Sequence, residues 1–170
     1  MTLSMYQASV PVFVRALGNL ADVLKKGEAH AKSKNVTDEV LLQTRLIPDM
    51  LPLVKQVQIA ADIACRGAAR LAGAEPMSFE DNETTLEQLY SRIDSAIEYI
   101  KTFKPEQIDG SEDKAITLPA PPPREPLHFK GLDYLLFFVI PNVHFHSTTA
   151  YDILRHNGVE IGKTDYLGPR

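Results

Sequence analysis

Cysteine is nearly missing from this chain of 170 residues: Cys65 stands alone, so no disulfide can form within the chain and no Cys-x-x-Cys pair is available for a metal or for redox chemistry. A lone thiol suits a reducing cytosol, and with no basic partner beyond Arg66 a packed, inert Cys65 is expected. Excess charge is also scarce. The 18 basic against 22 acidic side chains leave −4, without the Lys/Arg clusters of a nucleic-acid binder or a polybasic membrane anchor. Long apolar runs are lacking too. The longest, Leu135 to Pro141, falls far short of the about 20 residues needed to span a bilayer. The first residues, Met-Thr-Leu-Ser-Met-Tyr, carry no basic region ahead of an apolar one, so no secretory signal is expected. There is no Gly-rich phosphate loop and no HExxH. A soluble, cytoplasmic protein is the expectation, with no membrane and no nucleic acid among its partners.

What is present is helical patterning. At 170 residues and 44% hydrophobic composition, a single domain over 1–170 can bury roughly two thirds of its unfolded surface in one core. Val10, Phe13, Val14, Leu17, Leu20, Ala21 and Leu24 recur at three- and four-residue spacing, which predicts a first long helix over about Ser4 to Ala31 with Pro11 in its first turns. A short helical piece follows over Asp38 to Leu42. A second long helix is expected to open near Asp49, between Pro48 and Pro52. Its seam is Val54, Val57, Ala61, Ala64, Ala68 and Leu71, and the central alanines let a neighbour approach closely. Gly73 stops it.

Thr84 and Glu87 stand at capping-box spacing ahead of Leu86, Leu89, Ile93, Ala96, Ile97 and Ile100, predicting a third long helix that ends at Lys104 and Pro105. A Pro-rich excursion follows, Leu118 to Pro126, flanked by Ile116–Leu118 and Leu127–Phe129. These flanks can pair as two short strands or form an irregular loop. The fourth long helix, about Gly131 to Asn157, places Leu132, Leu135, Val139, Asn142, His146, Thr149 and Ile153 on one stripe, capped by Gly158. The connection from Gly73 to Thr84 is long enough to traverse a helix of about 30 Å, so a parallel crossover and a hairpin both remain open. The class predicted is all-α, a four-helix bundle.

The fourth helix holds the unusual residues. Pro141 inside it leaves the carbonyl of Phe137 without its usual donor, and a kink is expected there. Asn142 and His146 are four apart and share the face predicted to point inward, whereas His144 points away from it. The second long helix offers Gln58 and Asp62, also four apart, on a face other than the alanine seam. If that face meets Asn142 and His146, one carboxylate, one imidazole and two amides converge on a space for water, a metal or a small polar ligand. Solvent exposure is the ordinary fate of Gln58 and Asp62, and a satisfied core role is the ordinary alternative for His146. His156 sits where an imidazolium favours a helix C-terminus. His30 and His128 read as surface residues.

Several stretches carry a family resemblance: Ser9–Phe13, Arg45–Met50, Gln56–Ala60, Phe79–Thr85, His146 with Thr148–Tyr151, and Leu154–Val159 followed by Gly162–Lys163 and Asp165–Gly168. They resemble an uncharacterised bacterial and fungal family grouped with the DinB/YfiT-like superfamily, and the match spans nearly the whole chain. The resemblance implies a four-helix bundle of up-down-down-up order, often homodimeric. It also implies a divalent metal, such as zinc, nickel or manganese, held by one His of the second helix and two at four-residue spacing in the last, and in some members thiol-dependent transferase or isomerase activity. Here His146 matches the last of these, Asn142 replaces the one before it, and no His lies between Asp49 and Gly73. An altered set, His146 with Asp62, is the remaining metal-ligand candidate, and His146, Asn142, Gln58 and Asp62 are the catalytic candidates. Two functions compete: a small-molecule transferase, hydrolase or isomerase with a degenerate metal site between the second and fourth helices, and a non-catalytic homodimeric module that binds a ligand or partner and has lost the metal.

Overall fold

The first helix owes its start to proline. In the computed structural model, which describes residues 3–169, α1 runs over Val10–Ser33 with Pro11 in its first turn, where a missing N–H costs nothing. The predicted start near Ser4 is therefore too early: the residues before Val10 form turns, and Ser9 Oγ donates to Met5 O at 2.7 Å instead of extending the helix. Thr37 caps the short α2, Asp38–Gln43, by accepting from Val40 N–H. Pro52 sets the start of α3, Leu53–Ala72, four residues after Asp49, because the residue before a proline is pushed out of the helical region. Gly73, at φ 75°, closes α3 in the left-handed conformation.

α4 spans Leu86–Lys101 behind a capping box. The box sits one residue later than predicted: Thr85 Oγ1 accepts from Gln88 N–H, and Gln88 Oε1 accepts from Thr85 N–H. A short α5, Pro105–Ile108, follows. The Pro-rich region does form strands. β1, Ala115–Leu118, pairs antiparallel with β2, Leu127–Lys130, with Ala115 opposite Lys130 and Leu118 opposite Leu127, and residues 119–126 form the connection.

The last long helix is continuous but not uniform. α6, Gly131–Tyr134, passes into a π-helical segment, Leu135–Val139, and then into α7, Ile140–His156. The extra residue of a π turn changes the angular phase of everything before it. The predicted stripe accordingly holds after the π segment and fails ahead of it: Ile153 and Thr149 are buried, while Leu132 is 41% exposed and Tyr134 takes the buried place. Pro141 lies inside this continuous helix, as expected, directly after the π segment and at the start of α7. A final short helix, α8, covers Lys163–Leu167.

The architecture is mostly helical with one small two-stranded sheet. α3 packs against α4 and α7, and α1 against the same two. Val57, Ala61, Ala64 and Ala68 of the alanine seam are fully buried, so α3 lies against both partners at short range. Among the described residues no helix is long and apolar enough to cross a membrane.

Candidate functional site

His146 is the half-buried imidazole of α7 and faces α3. Its Nδ1 lies 2.7 Å from Gln56 Oε1. The amide orientation is fixed independently, because Gln56 Nε2 donates to Leu51 O at 3.0 Å and leaves Oε1 as the group turned toward the imidazole. An amide oxygen can only accept, so the neutral imidazole carries its proton on Nδ1 and keeps the Nε2 lone pair. Burial holds the His146 pKa below the usual histidine value, which keeps that lone pair available at neutral pH. Gln56 is itself 2% exposed. Sequence reasoning did not single it out; the available signal was its position two residues before Gln58 on a helix whose buried positions are apolar but for these two glutamines.

The other candidates go different ways. Asn142 is half-buried one turn before His146 and donates from Nδ2 to Phe138 O at 2.6 Å, inside its own helix. Gln58 is buried, contrary to the solvated expectation, and turns toward α4: its Nε2 donates to Glu83 Oε2 at 2.6 Å. Asp62 accepts from Arg66 Nε at 2.6 Å along α3. The hydrogen bonds of Gln58 and Asp62 are thus made away from those of Asn142 and His146. His144 is exposed and pairs with Tyr166 Oη at 3.1 Å, so it does diverge from His146. Cys65 is buried, and burial pushes its thiol up to about 12, which makes it inert as a nucleophile. His128 and His156 are exposed, while His30 is half-buried beside Gly158.

A second polar cluster went unread in the sequence. Arg92 of α4, 4% exposed, pairs with Glu83 Oε1 at 2.9 Å and with Asp81 Oδ1 at 2.7 Å. It also donates to the carbonyl of Gln58 at 3.1 Å and lies 4.2 Å over the ring of Phe79. Burial pushes the Glu83 carboxyl up, but the hydrogen bonds from Arg92, from the backbone and from Gln58, with the Arg92 charge, together outweigh this and hold it below the usual range. The Phe79–Thr85 stretch is therefore a segment wrapped on a buried guanidinium and closed by the Thr85 cap. Its role is to fasten the α3–α4 connection.

The superfamily's divalent metal needs three or four good donors. His146 supplies one imidazole whose Nδ1 is engaged with an amide, Asn142 supplies a neutral amide, and Asp62 is paired with a guanidinium. Among the described residues no group of three His, Cys, Asp or Glu side chains stands close enough to hold a metal ion. This donor set does not fit such an ion.

Fold and site together define a DinB-like helical protein. The chain is similar to a DinB family member protein from Shewanella denitrificans, known from its crystal structure, with 41% sequence identity and a TM-score of 0.88 over 97% of this chain and 92% of that one. It belongs to the family described as Domain of unknown function (DUF1993), whose model matches residues 5–167. No curated protein matches the chain. The family resemblance read from the sequence is borne out.

Proposed function

We propose that the chain is a single-domain bundle of up-down-down-up order in which His146 acts as a metal-free acid/base toward a small molecule undergoing transfer, hydrolysis or isomerisation. The bundle order is supported by paired contacts. Gln56 meets His146 and Gly67 meets Val139, so α3 and α7 run opposite; Gln58 meets Arg92 and Cys65 meets Ala96, so α3 and α4 run alike.

The observation that carries the site is the Gln56–His146 hydrogen bond. An imidazole with Nδ1–H committed to an amide oxygen presents Nε2 as a positioned base, and the same amide stabilises the imidazolium once a proton has been taken. His146 Nε2 takes a proton from the substrate and returns it to the product or leaving group, while Gln56 keeps the ring from turning. Asn142, on the same face one turn away, offers a second amide for orienting a bound polar group.

The test is metal content and activity together. Untagged protein, before and after addition of zinc, nickel or manganese, is expected to hold no stoichiometric metal, and any activity found in thiol-transfer or hydrolytic screens should be lost in His146→Ala. Near-stoichiometric metal that disappears in both His146→Ala and Asp62→Ala overturns the metal-free reading.

A homodimer is a second reading favoured by one surface. Phe137, Pro141 and Phe145 recur every four residues along the last long helix, and Phe137 is 73% and Phe145 57% exposed, beside Leu132 and Leu136. Such an apolar ridge marks an interaction surface. Light scattering is expected to give a dimer that becomes monomeric in Phe137→Ser/Phe145→Ser, without loss of helicity; a monomeric wild type sinks it.

A further inference from the structure

Neighbouring residues of α7 serve opposite sides: His146 faces α3, and Ser147 faces α1. Between α1, α7 and α8 lies a cavity of about 170 Å³, walled by Val12, Ala16, Leu20 and Val23 with Ser147 among them. Leu20, Val23 and Ser147 are buried, whereas Arg15, His144 and Leu167 are exposed, so the latter mark the mouth. One wall group is anomalous. Ser147 is 4% exposed and its Oγ has no hydrogen-bond partner, although a helical hydroxyl ordinarily returns to the carbonyl one turn back. Thr149 does this, donating from Oγ1 to Phe145 O at 2.8 Å. A buried hydroxyl left without a partner is costly and rare.

The cavity is roofed by α8, a segment held mainly by polar contacts. No residue of α8 is buried, and polar latches hold it. Tyr166 Oη lies 3.1 Å from His144 Nδ1 and 3.1 Å from Thr148 Oγ1. Asn19 donates to Tyr166 O at 3.1 Å, Arg15 donates to Leu167 O at 3.1 Å and to Pro169 O at 2.6 Å, and Lys26 pairs with Asp165. Elements attached mainly by exposed polar contacts open at low cost.

We infer that this cavity binds an uncharged molecule the size of one six-membered ring, bearing a single oxygen acceptor, with the Ser147 hydroxyl as the group that reads it and α8 as the strap that encloses it. The size follows from volume, since an apolar cavity of about 150 Å³ takes up benzene. Neutrality follows from the apolar floor, where an ionised group would lose its hydration without a buried counter-charge. The oxygen follows from Ser147, whose donor otherwise has nothing to meet. The inference is independent of the proposed chemistry at His146.

The experiment titrates the full chain with phenol and with toluene, read by calorimetry and by amide shifts in NMR. Phenol is expected to bind saturably at one site, moving the amides of Leu20, Val23 and Ser147, about fivefold to tenfold more tightly than toluene, the ratio one hydrogen bond supplies. Ser147→Ala should retain toluene binding, which also reports an intact cavity, and lose the preference for phenol. Tyr166→Phe should speed phenol release. His146→Ala should bind phenol unchanged, so failure of the base reading and failure of this site are seen separately. No saturable phenol binding, shifts confined to other residues, or an undiminished preference in Ser147→Ala overturns the inference.

Discussion

Gln56 and Gln58 are the same residue type, two positions apart on α3 and equally buried, yet they serve opposite neighbours. Gln58 joins an ionic cluster in which Arg92 pairs with Glu83 and donates to the backbone carbonyl of Gln58. Gln56 joins an open chain that runs from Leu51 O through its amide to His146 and ends at a lone pair. The first arrangement commits its charges to holding two segments together, while Gln58 Oε1 and Arg92 Nε stay buried without a partner. The second leaves one polar atom prepared for something else. Burial and hydrogen bonding of a polar side chain therefore do not mark a site by themselves. What separates a strut from a site here is whether the ionisable group is held in ion pairs, as Arg92 is, or keeps a lone pair with chemistry left to do, as His146 does.

The sharpest way to break this contrast is to remove the centre of the ionic cluster. Arg92→Leu leaves Glu83, whose side chain is 10% exposed, without its counter-charge. Breaking a buried pair from one side costs about 3–5 kcal/mol, and the half-exposed Asp81 puts this case near the lower end. Urea unfolding should show that loss with the slope unchanged. Because Glu83 is held below its ordinary value, its contribution is present above the unfolded carboxylate pKa and is lost as pH falls through the folded one. The variant should thus lose part of the acid-side slope of stability against pH. A loss under about 1 kcal/mol, with that slope intact, would mean that the cluster is not a strut.

The next largest effect tests how closely the two arrangements are held apart by α3 itself. A Cβ at Gly67 would lie 2.5 Å from Val139 Cγ1, at the end of the π segment. Gly67→Ala is expected to destabilise by about 1–3 kcal/mol through overpacking, and to do so by displacing the last long helix rather than α4. Amide shifts should concentrate in residues 135–146 and spare Arg92. Equal shifts on both sides would show that the two clusters are mechanically coupled.

The parts of the molecule that were legible in the sequence are those with a local cause. The alanine seam of α3 and the Gly73 stop follow from period and left-handed glycine, whereas the pairing of residues 116–118 with 127–129 was one of two alternatives that the prolines left open. Thr85 in place of Thr84 is the ordinary ambiguity of two adjacent capping residues, settled by which carboxamide or carboxylate reaches back: Gln88 does, Glu87 does not. The π segment has no local signature, since Leu135 to Val139 reads as any apolar helix, and Leu132 ahead of it faces outward. Within the candidate site, the inward half-burial of His146 was legible from its four-residue relation to Asn142 on the core stripe. Its partner was not, because Gln56 and Gln58 differ only in which neighbour each meets. That depends on the lateral placement of α4 and α7, which no short window of sequence contains. Arg92 was missed for the same reason: a charged residue on a helix is ordinarily solvated, and only the folded-back Phe79–Thr85 segment makes it a core residue.

The smallest effect is the most direct probe of the open chain. With its folded pKa held below the value of about 6.5 expected when unfolded, His146 binds its proton more readily in the unfolded state. Its neutral form therefore favours the fold fully above that unfolded value, and stability declines as pH falls through the folded pKa. Gln56→Leu removes the acceptor that meets Nδ1–H. An amide oxygen interacts more strongly with imidazolium than with neutral imidazole, so the variant should push the His146 pKa lower still, and it should cost about 1 kcal/mol at neutral pH. Nitrogen-detected titration of the ring reads both the pKa and the tautomer. The Nδ1–H form is expected in the wild type, with a mixture in Gln56→Leu. If the wild type instead carries its proton on Nε2, Nδ1 can only accept, the Gln56 amide must turn to donate to it and give up Leu51 O, and the free Nε2 lone pair on which the base reading depends is gone.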